Sequence, residues 1–247
     1  MQVRRLIRGD APLIISMPHV GTYVPPDIKR RMTDAGRGLP DTDWHIDRLY
    51  DFAEALGVTL LAATHSRYVI DLNRPPDDAG LYTGQKKTGL CPLETFTGDK
   101  IYLEGEEPDE IEKINRLAAF WQPYHEALAE ELLRIKAVHG YAVLYDAHSI
   151  KSHVPALFEG RLPDLNIGTA NGAACAPALA NAAMGAVEGY TSVLNGRFIG
   201  GYVTRHYGRP HENIHAVQME LAQANYMDEE TYLYDEAKAA RLQKTLA

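Results

Sequence analysis

Cysteine is scarce in this chain, with only Cys91 and Cys175 among 247 residues. Their spacing matches neither a zinc motif nor a disulfide framework, so the sequence favours a protein of the reducing cytoplasm. Basic residues are in deficit as well, with 25 Lys and Arg against 33 Asp and Glu and a formal net charge of -8. A nucleic-acid partner is therefore not expected, because such a partner normally requires a basic face.

Long apolar runs are also missing. No stretch approaches the roughly 18 consecutive apolar residues of a membrane-spanning helix, so no membrane partner is expected. The basic residues 1–9 are not followed by the apolar segment of a secretory signal peptide. The hydrophobic content of 45% is nevertheless sufficient for one substantial core. The sequence therefore predicts a single domain over residues 1–247.

Several enzyme classes lack their sequence signatures here. The glycines of residues 195–201 (NGRFIGG) do not have the strand–turn–helix context of a dinucleotide-binding loop. Ser16 and Ser149 do not lie in the Gly-x-Ser-x-Gly elbow of a serine hydrolase. Neither cysteine has the setting of a catalytic nucleophile. These observations direct attention to metal chemistry, for which the chain offers ten histidines.

Apolar runs alternate with segments of helical periodicity, which predicts an α/β protein with a mixed, largely parallel sheet. Gly57 and Gly140 are expected to end the first two helices. The long segment 75–108 is predicted to be a loop, and loops of this length are usually functional or mobile. Strands are predicted at 13–18, 58–63, 68–72, 141–145 and 214–221, and helices at 43–56, 109–138, 172–187 and 229–246.

Two predicted strands lead into a histidine, His19 after the first and His148 after the fourth. Ligands of open α/β sheets collect at the carboxyl ends of the strands, so both histidines are candidate metal ligands. A catalytic zinc needs about three protein ligands and one open position. The third ligand should be a carboxylate or another histidine, and Asp43 and Asp47 lie one turn apart with His45 between them. The alternative is that these histidines are merely surface residues or make only hydrogen bonds.

Glu220 lies in the apolar segment 217–221, where a lone carboxylate is costly unless it is paired or used. It is therefore the best candidate for a general base that takes a proton from water. A glutamate that merely forms a salt bridge at a strand end is the alternative.

Arginines occur near three predicted strand ends, at Arg67, Arg74 and Arg205, and Asn73 directly precedes Arg74. The planar guanidinium group matches a carboxylate bidentately. Three such groups around one cleft would indicate a substrate with one or more carboxylates. Each arginine alone is more often a surface salt-bridge partner.

Taken in order, these segments resemble the N-formylglutamate amidohydrolase (N-formylglutamate deformylase) family. Six motifs in family order, spanning roughly residues 12–230, make the resemblance specific. Two further segments look like those of the members that act in histidine degradation. The six motifs are 16–21 (SMPHVG), 41–45 (DTDWH), 66–75 (SRYVIDLNRP), 146–149 (DAHS), 195–201 (NGRFIGG) and 218–220 (QME), and the further segments are 82–85 (YTGQ) and 89–92 (GLCP).

The resemblance implies a three-layer phosphorylase/hydrolase-like α/β fold with a mixed central sheet, similar to zinc carboxypeptidases. It implies hydrolysis of N-formyl-L-glutamate, a small dicarboxylate, to formate and L-glutamate in histidine degradation. The metal would be zinc, although the N/O ligand set also suits other divalent transition metals. The alternatives are an amidohydrolase acting on another N-acyl or N-formimino acidic amino acid, or a non-catalytic metal or amino-acid binding module.

The resemblance also implies roles for the metal-binding residues. His19 and His148 would be metal ligands, as in carboxypeptidase-like sites. Those peptidases place their carboxylate ligand three residues after the first histidine, a position that Thr22 occupies here. Asp43 is predicted instead, because the segment 41–45 carries the resemblance, and Asp47 is the alternative.

The remaining roles concern the base and the substrate. Glu220 would be the general base. Asn73 and Arg74 look like the pair that holds a terminal carboxylate in the peptidases. Arg67 or Arg205 would hold a second carboxylate or stabilise the oxyanion.

Overall fold

The computed structural model describes residues 2–80 and 88–247. Its strands are β1 (Arg4–Ile7), β2 (Leu13–Met17), β3 (Thr59–Ala63), β4 (Ala142–Ile150), β5 (Leu165–Gly168), β6 (Ser192–Leu194) and β7 (Ile214–Ala222). Its α-helices are α1 (Pro26–Arg30), α2 (Asp34–Arg37), α3 (Ile46–Leu49), α4 (Phe52–Ala55), α5 (Glu110–Arg116), α6 (Gln122–His139), α7 (Pro177–Gly185), α8 (Tyr202–Tyr207) and α9 (Glu236–Leu246). A π-helical turn, Leu117–Trp121, joins α5 to α6, and short 3-10 turns lie at Pro210–Glu212 and Gln223–Asn225.

The strands form one mixed sheet in the order β1–β3–β2–β4–β7–β5–β6. The four central strands, β3, β2, β4 and β7, are parallel to one another. Strand β1 is antiparallel at one edge, and β5 runs antiparallel to β7 with β6 parallel to β5. The carboxyl ends of β2, β4 and β7 therefore meet at one end of the sheet. The prediction of a mixed, largely parallel sheet is confirmed.

Helices cover both faces of this sheet. Successive strand residues point to opposite faces. On one face, Leu144 of β4 packs in a core with side chains of α6 and α8. On the other face, Val217 and Met219 of β7 pack with side chains of α3, α4, α7 and α9. The result is the three-layer α/β arrangement that the sequence predicts.

Several predicted elements lie where expected. The strands predicted at 13–18, 58–63 and 214–221 correspond to β2, β3 and β7. The predicted helix 109–138 is helical along its length, with the π-helical turn inside it, and ends at Gly140 with a φ of 78°. Gly57, with a φ of 71°, follows α4 as predicted.

Other predicted boundaries are wrong. The helix predicted at 43–56 is two short helices, because His45 is left-handed with a φ of 63° and Tyr50 leaves helical geometry between α3 and α4. The fourth predicted strand does not stop at Tyr145. Strand β4 stays paired with β7 as far as Ile150, so His148 lies within the strand. The helices predicted at 172–187 and 229–246 are shorter and correspond to α7 and α9.

The strand predicted at 68–72 is instead part of a turn, which we call the buried turn (residues 66–74). Its apolar side chains are buried, as in a strand, but its carbonyl groups do not join a sheet ladder. Side chains of the helical segment 110–139 satisfy them instead. Arg116 Nη1 donates to Val69 O at 2.9 Å, His125 Nε2 to Leu72 O at 2.9 Å and Trp121 Nε1 to Arg74 O at 3.0 Å.

The long segment 75–108 contains no helix or regular strand among its described residues. Residues 81–87, including the YTGQ motif at 82–85, lie outside the described part of the chain. Both cysteines are buried as free thiols. Over the described ranges, we find no helix with the length and apolar character needed to cross a membrane.

His125 holds the buried turn and should make folding sensitive to acid. It is 4% exposed, and burial lowers its pKa from 6.5 to about 3. Below pH 6.5 the unfolded chain therefore binds a proton that the folded protein does not. The stability contributed by neutral His125 is present above that pH and is lost as the pH falls towards 3, by up to about 1.4 kcal/mol per pH unit.

We expect His125→Gln to lower the free energy of unfolding at neutral pH by about 1–3 kcal/mol, because buried hydrogen bonds are lost. The difference from the wild type should shrink as the pH falls from about 7 to about 4.5, since the variant lacks the titrating group. Urea denaturation across this range measures the effect, with the exposed His211→Gln as a control. A constant difference at every pH would contradict the prediction.

Candidate active site

Three side chains with metal-binding atoms meet at the carboxyl end of the sheet. His19 follows β2, His148 lies near the end of β4, and Asp43 lies in the loop before α3. One ligand atom from each lies within 4.8 Å of the other two. All three residues are buried, with exposures of 4%, 2% and 1%. We call them the triad.

Backbone contacts bring Asp43 to the two histidines. Its amide N–H donates to the carbonyl of His19 at 3.1 Å, and its Oδ2 accepts from the amide of Ser149 at 3.2 Å. The same Oδ2 lies 3.0 Å from His148 Nδ1 and 3.8 Å from His19 Nδ1. The loop is therefore fixed between β2 and β4, and the carboxylate is directed at both imidazoles.

The other residues considered for the third ligand lie elsewhere. Asp47 forms an ion pair with Arg5 at 3.0 Å, with both side chains partly exposed. His45 Nε2 bonds to the carbonyl of Tyr232 at 2.7 Å. Of the two carboxylates that the sequence left open, the structure brings Asp43 to the histidines.

Each triad histidine turns its second nitrogen towards a buried carboxylate. His19 Nε2 forms a hydrogen bond with Asp71 Oδ1 at 2.7 Å, whereas His148 Nε2 makes an ion-pair contact with Asp146 Oδ1 at 3.1 Å that does not have hydrogen-bond geometry. Histidines that bind metals usually have such an outer carboxylate, which fixes the ring and the nitrogen that faces the metal.

The ligand atoms of the triad fit a divalent transition metal. Two imidazole nitrogens and one carboxylate oxygen are ligands that zinc commonly takes, with a fourth position open. Bonds of about 2.0–2.2 Å at tetrahedral angles separate ligand atoms by about 3.3 Å. The separations of 3.0 and 3.8 Å from Asp43 Oδ2 to the histidine nitrogens lie on either side of that value.

The two histidines differ in their electrostatic surroundings. Burial lowers the pKa of His19, and the nearby positive charge of Arg67 lowers it further. Burial also acts to lower the pKa of His148, but the carboxylates of Asp146 and Asp43 outweigh it and hold that pKa well above its usual range. The neighbouring carboxylates therefore favour positive charge at His148.

Glu220 lies beside the triad on the neighbouring strand. It is paired with His148 in the parallel register of β4 and β7, so the two side chains point to the same face. Gln218 Nε2 donates to its Oε2 at 3.2 Å. Burial raises the pKa of Glu220 to about 8, and the charge of Asp43 adds to the effect, whereas His148 opposes it. A carboxyl group with a pKa near neutrality is suited to accepting and then releasing a proton.

Arg67 packs behind the triad. Its Nη2 forms a buried ion pair with Asp71 Oδ2 at 2.7 Å, and its Nη1 lies 3.9 Å from Asp43 Oδ1. Its guanidinium group also lies over the ring of Phe96, 4.8 Å from the centroid. The charge of Arg67 is therefore largely balanced by carboxylates of the protein.

Asn73 has its side-chain amide engaged within the protein. Its Nδ2 lies 3.0 Å from His148 Nε2, and its Oδ1 accepts from the backbone N–H of Val203 at 2.8 Å. A Cβ atom at Gly201 would overlap this amide, so glycine is required there. Asn73 thus fixes His148 and α8, and in this arrangement its amide is not free for a substrate carboxylate.

Arg74 lies next to Asn73 and faces the open space in front of the triad. Its Nε donates to the carbonyl of Thr88 at 2.9 Å, and its Nη1 donates to the carbonyl of Asn73 at 3.1 Å. Within residues 2–80 and 88–247, Arg74 forms no ion pair with a carboxylate. Its charge is therefore available to an anionic ligand.

The triad opens into a cavity of about 100 Å³. Of the predicted site residues, Arg205 does not line it, and its Nε donates to the carbonyl of Gly200 at 2.7 Å. Arg197 does line it, although the sequence did not single it out as a binding residue. The only sequence indication was its position in the NGRFIGG motif. The lining comprises His19, Asp43, Arg67, Asn73, Arg74, Thr88, Phe96, His148, Ser149, Ile150, Leu157, Arg197, Phe198, Gly201, Gln218 and Glu220.

Comparison with known proteins identifies the family of this chain. The family model of N-formylglutamate amidohydrolase matches residues 11–227. The chain belongs to this family. It is 56% identical over 240 residues to the N-formylglutamate deformylase of Pseudomonas aeruginosa, covering 95% of this chain and 90% of that protein. It is 51% identical over 243 residues to the N-formylglutamate deformylase of Pseudomonas putida, covering 97% and 91%.

Solved structures show the same fold. The N-formylglutamate amidohydrolase of Ralstonia eutropha matches with a TM-score of 0.86 and 27% identity, over 98% of this chain and 94% of that one. A gene product of Agrobacterium tumefaciens matches with a TM-score of 0.74 and 19% identity, over 100% and 92%. The second likeness concerns the fold alone.

The choice of Asp43 over Asp47 is tested by metal binding. We expect Asp43→Asn to weaken the binding of zinc by at least about 100-fold, because a ligand and its charge are lost. Asp47→Asn should bind zinc like the wild type. Competition with a chromophoric chelator measures both dissociation constants. Equal affinity in wild type and Asp43→Asn would remove Asp43 from the ligand set.

Proposed function

We propose that this protein hydrolyses N-formyl-L-glutamate to formate and L-glutamate, with zinc held by His19, Asp43 and His148. The observation that carries the proposal is the position of Glu220 beside the triad, in a cavity that also contains arginines. A metal site, a base and cationic groups together are what hydrolysis of an amide on a dicarboxylate requires. The names of the Pseudomonas relatives support the choice of substrate.

The chemistry divides between the metal and Glu220. A divalent cation bound by the triad supplies Lewis-acid chemistry, polarising the formyl carbonyl and acidifying water. Glu220 takes a proton from the attacking water, and the water oxygen bonds to the formyl carbon. When the C–N bond breaks, Glu220 gives that proton to the leaving nitrogen, so the products are formate and L-glutamate.

The arginines of the cavity divide into two kinds. Arg67 lines the cavity beside the triad, so its guanidinium group is placed to donate hydrogen bonds to the reacting oxygen, although Asp71 already balances much of its charge. Arg74 has no carboxylate partner among the described residues, so it is placed to bind a substrate carboxylate. Asn73 supports this arrangement, because it contacts His148 and helps to fix the turn that carries Arg74.

Three finer assignments belong to the same proposal. Zinc is favoured over other metals because two imidazoles and one carboxylate form a common catalytic zinc site. A role in histidine degradation follows from the proposed substrate. A cytoplasmic location accords with two buried cysteines that remain free thiols.

The test is release of formate from N-formyl-L-glutamate by the purified zinc-loaded protein. Activity should disappear on removal of the metal by a chelator and return on addition of zinc. Glu220→Gln should lower kcat by about 100- to 10,000-fold while zinc remains bound, because proton transfer is lost. The exposed Glu188→Gln is the control. Activity of Glu220→Gln within a few-fold of the wild type would show that Glu220 is not the base.

The substrate specificity is tested by measuring kcat/KM for several substrates in parallel. N-formyl-L-aspartate and N-formimino-L-glutamate should be hydrolysed with a much lower kcat/KM than N-formyl-L-glutamate. Equal values would replace the glutamate-specific proposal by a broader amidohydrolase of the same fold.

A further inference from the structure

Two sets of hydrogen bonds fix the position of Arg197 in the cavity: one holds the turn that precedes it, and the other is made by its own side chain. It follows β6 in a turn where Asn195 is left-handed with a φ of 52°. The Asn195 side chain fixes this turn, accepting from the backbone N–H of Thr169 at 2.8 Å and donating to its Oγ1 at 2.9 Å. Arg197 Nε donates to the carbonyl of Leu157 at 2.7 Å. The direction of the guanidinium group is therefore set before any ligand binds.

The two terminal nitrogens of Arg197 have no hydrogen-bond partner among the residues that the structure describes. No carboxylate of those residues pairs with it either. Arg67 contrasts with it, because the carboxylate of Asp71 already neutralises that charge. Arg197 is only half-buried and lines the same cavity as the triad. The edge of the guanidinium group that carries its two terminal nitrogens is thus a preformed site for a planar anion.

The cavity then contains two guanidinium groups without a carboxylate of their own, Arg74 and Arg197. Their positions relative to the triad differ. Arg74 adjoins Asn73, whose amide touches the triad residue His148. The contacts of Arg197 are with Leu157 and Phe198, neither of which belongs to the triad or to the buried turn. Arg74 is therefore linked to the triad through Asn73, whereas Arg197 enters the cavity from a separate loop that has no direct contact with the triad through Arg197.

We propose that Arg197 binds the side-chain carboxylate of the substrate and so determines the preference for an acidic amino acid. This inference rests on the proposed function. The α-carboxylate is attached to the carbon that bears the amide nitrogen. It therefore binds to Arg74, which adjoins the triad contact Asn73. The γ-carboxylate, two carbons farther away, reaches Arg197. A substrate with a carboxamide in that place leaves the Arg197 charge uncompensated and is rejected.

The experiment compares N-formyl-L-glutamate with N-formyl-L-glutamine, which differ only at the group assigned to Arg197. In the wild type, kcat/KM should favour the glutamate compound by about 100-fold or more. Arg197→Gln should raise KM for N-formyl-L-glutamate by about 10- to 100-fold with kcat within a few-fold, because the lost contact is equal in ground and transition states. The preference over N-formyl-L-glutamine should fall to a few-fold.

Two variants control for folding and charge. Arg197→Lys keeps the positive charge and should retain part of the preference. Arg161→Gln removes an exposed arginine on the loop after β4, outside the cavity, and should behave as wild type. Thermal melting of each variant identifies any loss of folding. If Arg197→Gln keeps the full preference, the assignment is wrong. If the preference is lost in Arg205→Gln instead, the role belongs to Arg205.

Binding separates this inference from the proposed function. In the zinc-loaded Glu220→Gln protein, calorimetry measures the affinity for N-formyl-L-glutamate without turnover. Adding Arg197→Gln should weaken it about 10- to 100-fold and leave the affinity for N-formyl-L-glutamine nearly unchanged. No formate release by the wild type would overturn the proposed function, whereas binding that is indifferent to Arg197 would overturn this inference alone.

Discussion

An excess of buried negative charge is the constraint on which the site depends. Four carboxylates, those of Asp43, Asp71, Asp146 and Glu220, are buried around His19 and His148, and Arg67 is the one buried arginine beside them in the part of the chain that the structure describes. Buried carboxylates are costly unless they are paired or neutralised. The neighbouring carboxylates raise the pKa of His148, and burial together with Asp43 raises the pKa of Glu220, so the surroundings favour the protonated form of both groups. A divalent cation would supply positive charge in place of those protons.

The fold provides this arrangement through two rigid supports. One is the group of parallel strands β2, β4 and β7, whose carboxyl ends deliver His19, His148 and Glu220 to one place. The other is the buried turn, which carries Arg67, Asp71, Asn73 and Arg74 and is fixed to the long helical segment by side-chain hydrogen bonds. Since the turn contacts both triad histidines, packing of the helix against the turn positions the triad.

The sequence predicted those parts of the site that depend on local pattern. Apolar runs that end in polar residues located His19 and His148, and the apolar surroundings of Glu220 marked it as unusual. Asp43 was predicted from a motif and not from residue spacing. Spacing could not predict it, because its approach to the histidines depends on a backbone contact with His19 that no local pattern reveals. The strand predicted at 68–72 was wrong because buried apolar residues occur equally in a turn whose carbonyls bond to side chains. Arg205 was predicted from the sequence and Arg197 was not; that Arg197 lines the cavity and Arg205 does not could be seen only in the tertiary structure, since both are arginines near a glycine-rich loop.

We propose that the triad binds a divalent metal through His19 Nδ1, His148 Nδ1 and the Asp43 carboxylate. X-ray diffraction from crystals of the zinc-loaded protein, recorded on both sides of the zinc absorption edge, locates the metal. We expect one strong anomalous peak bonded to these three groups, with Glu220 beside its open position. A peak elsewhere, or zinc bound through Asp47 with the triad empty, would show that the triad is not the metal site.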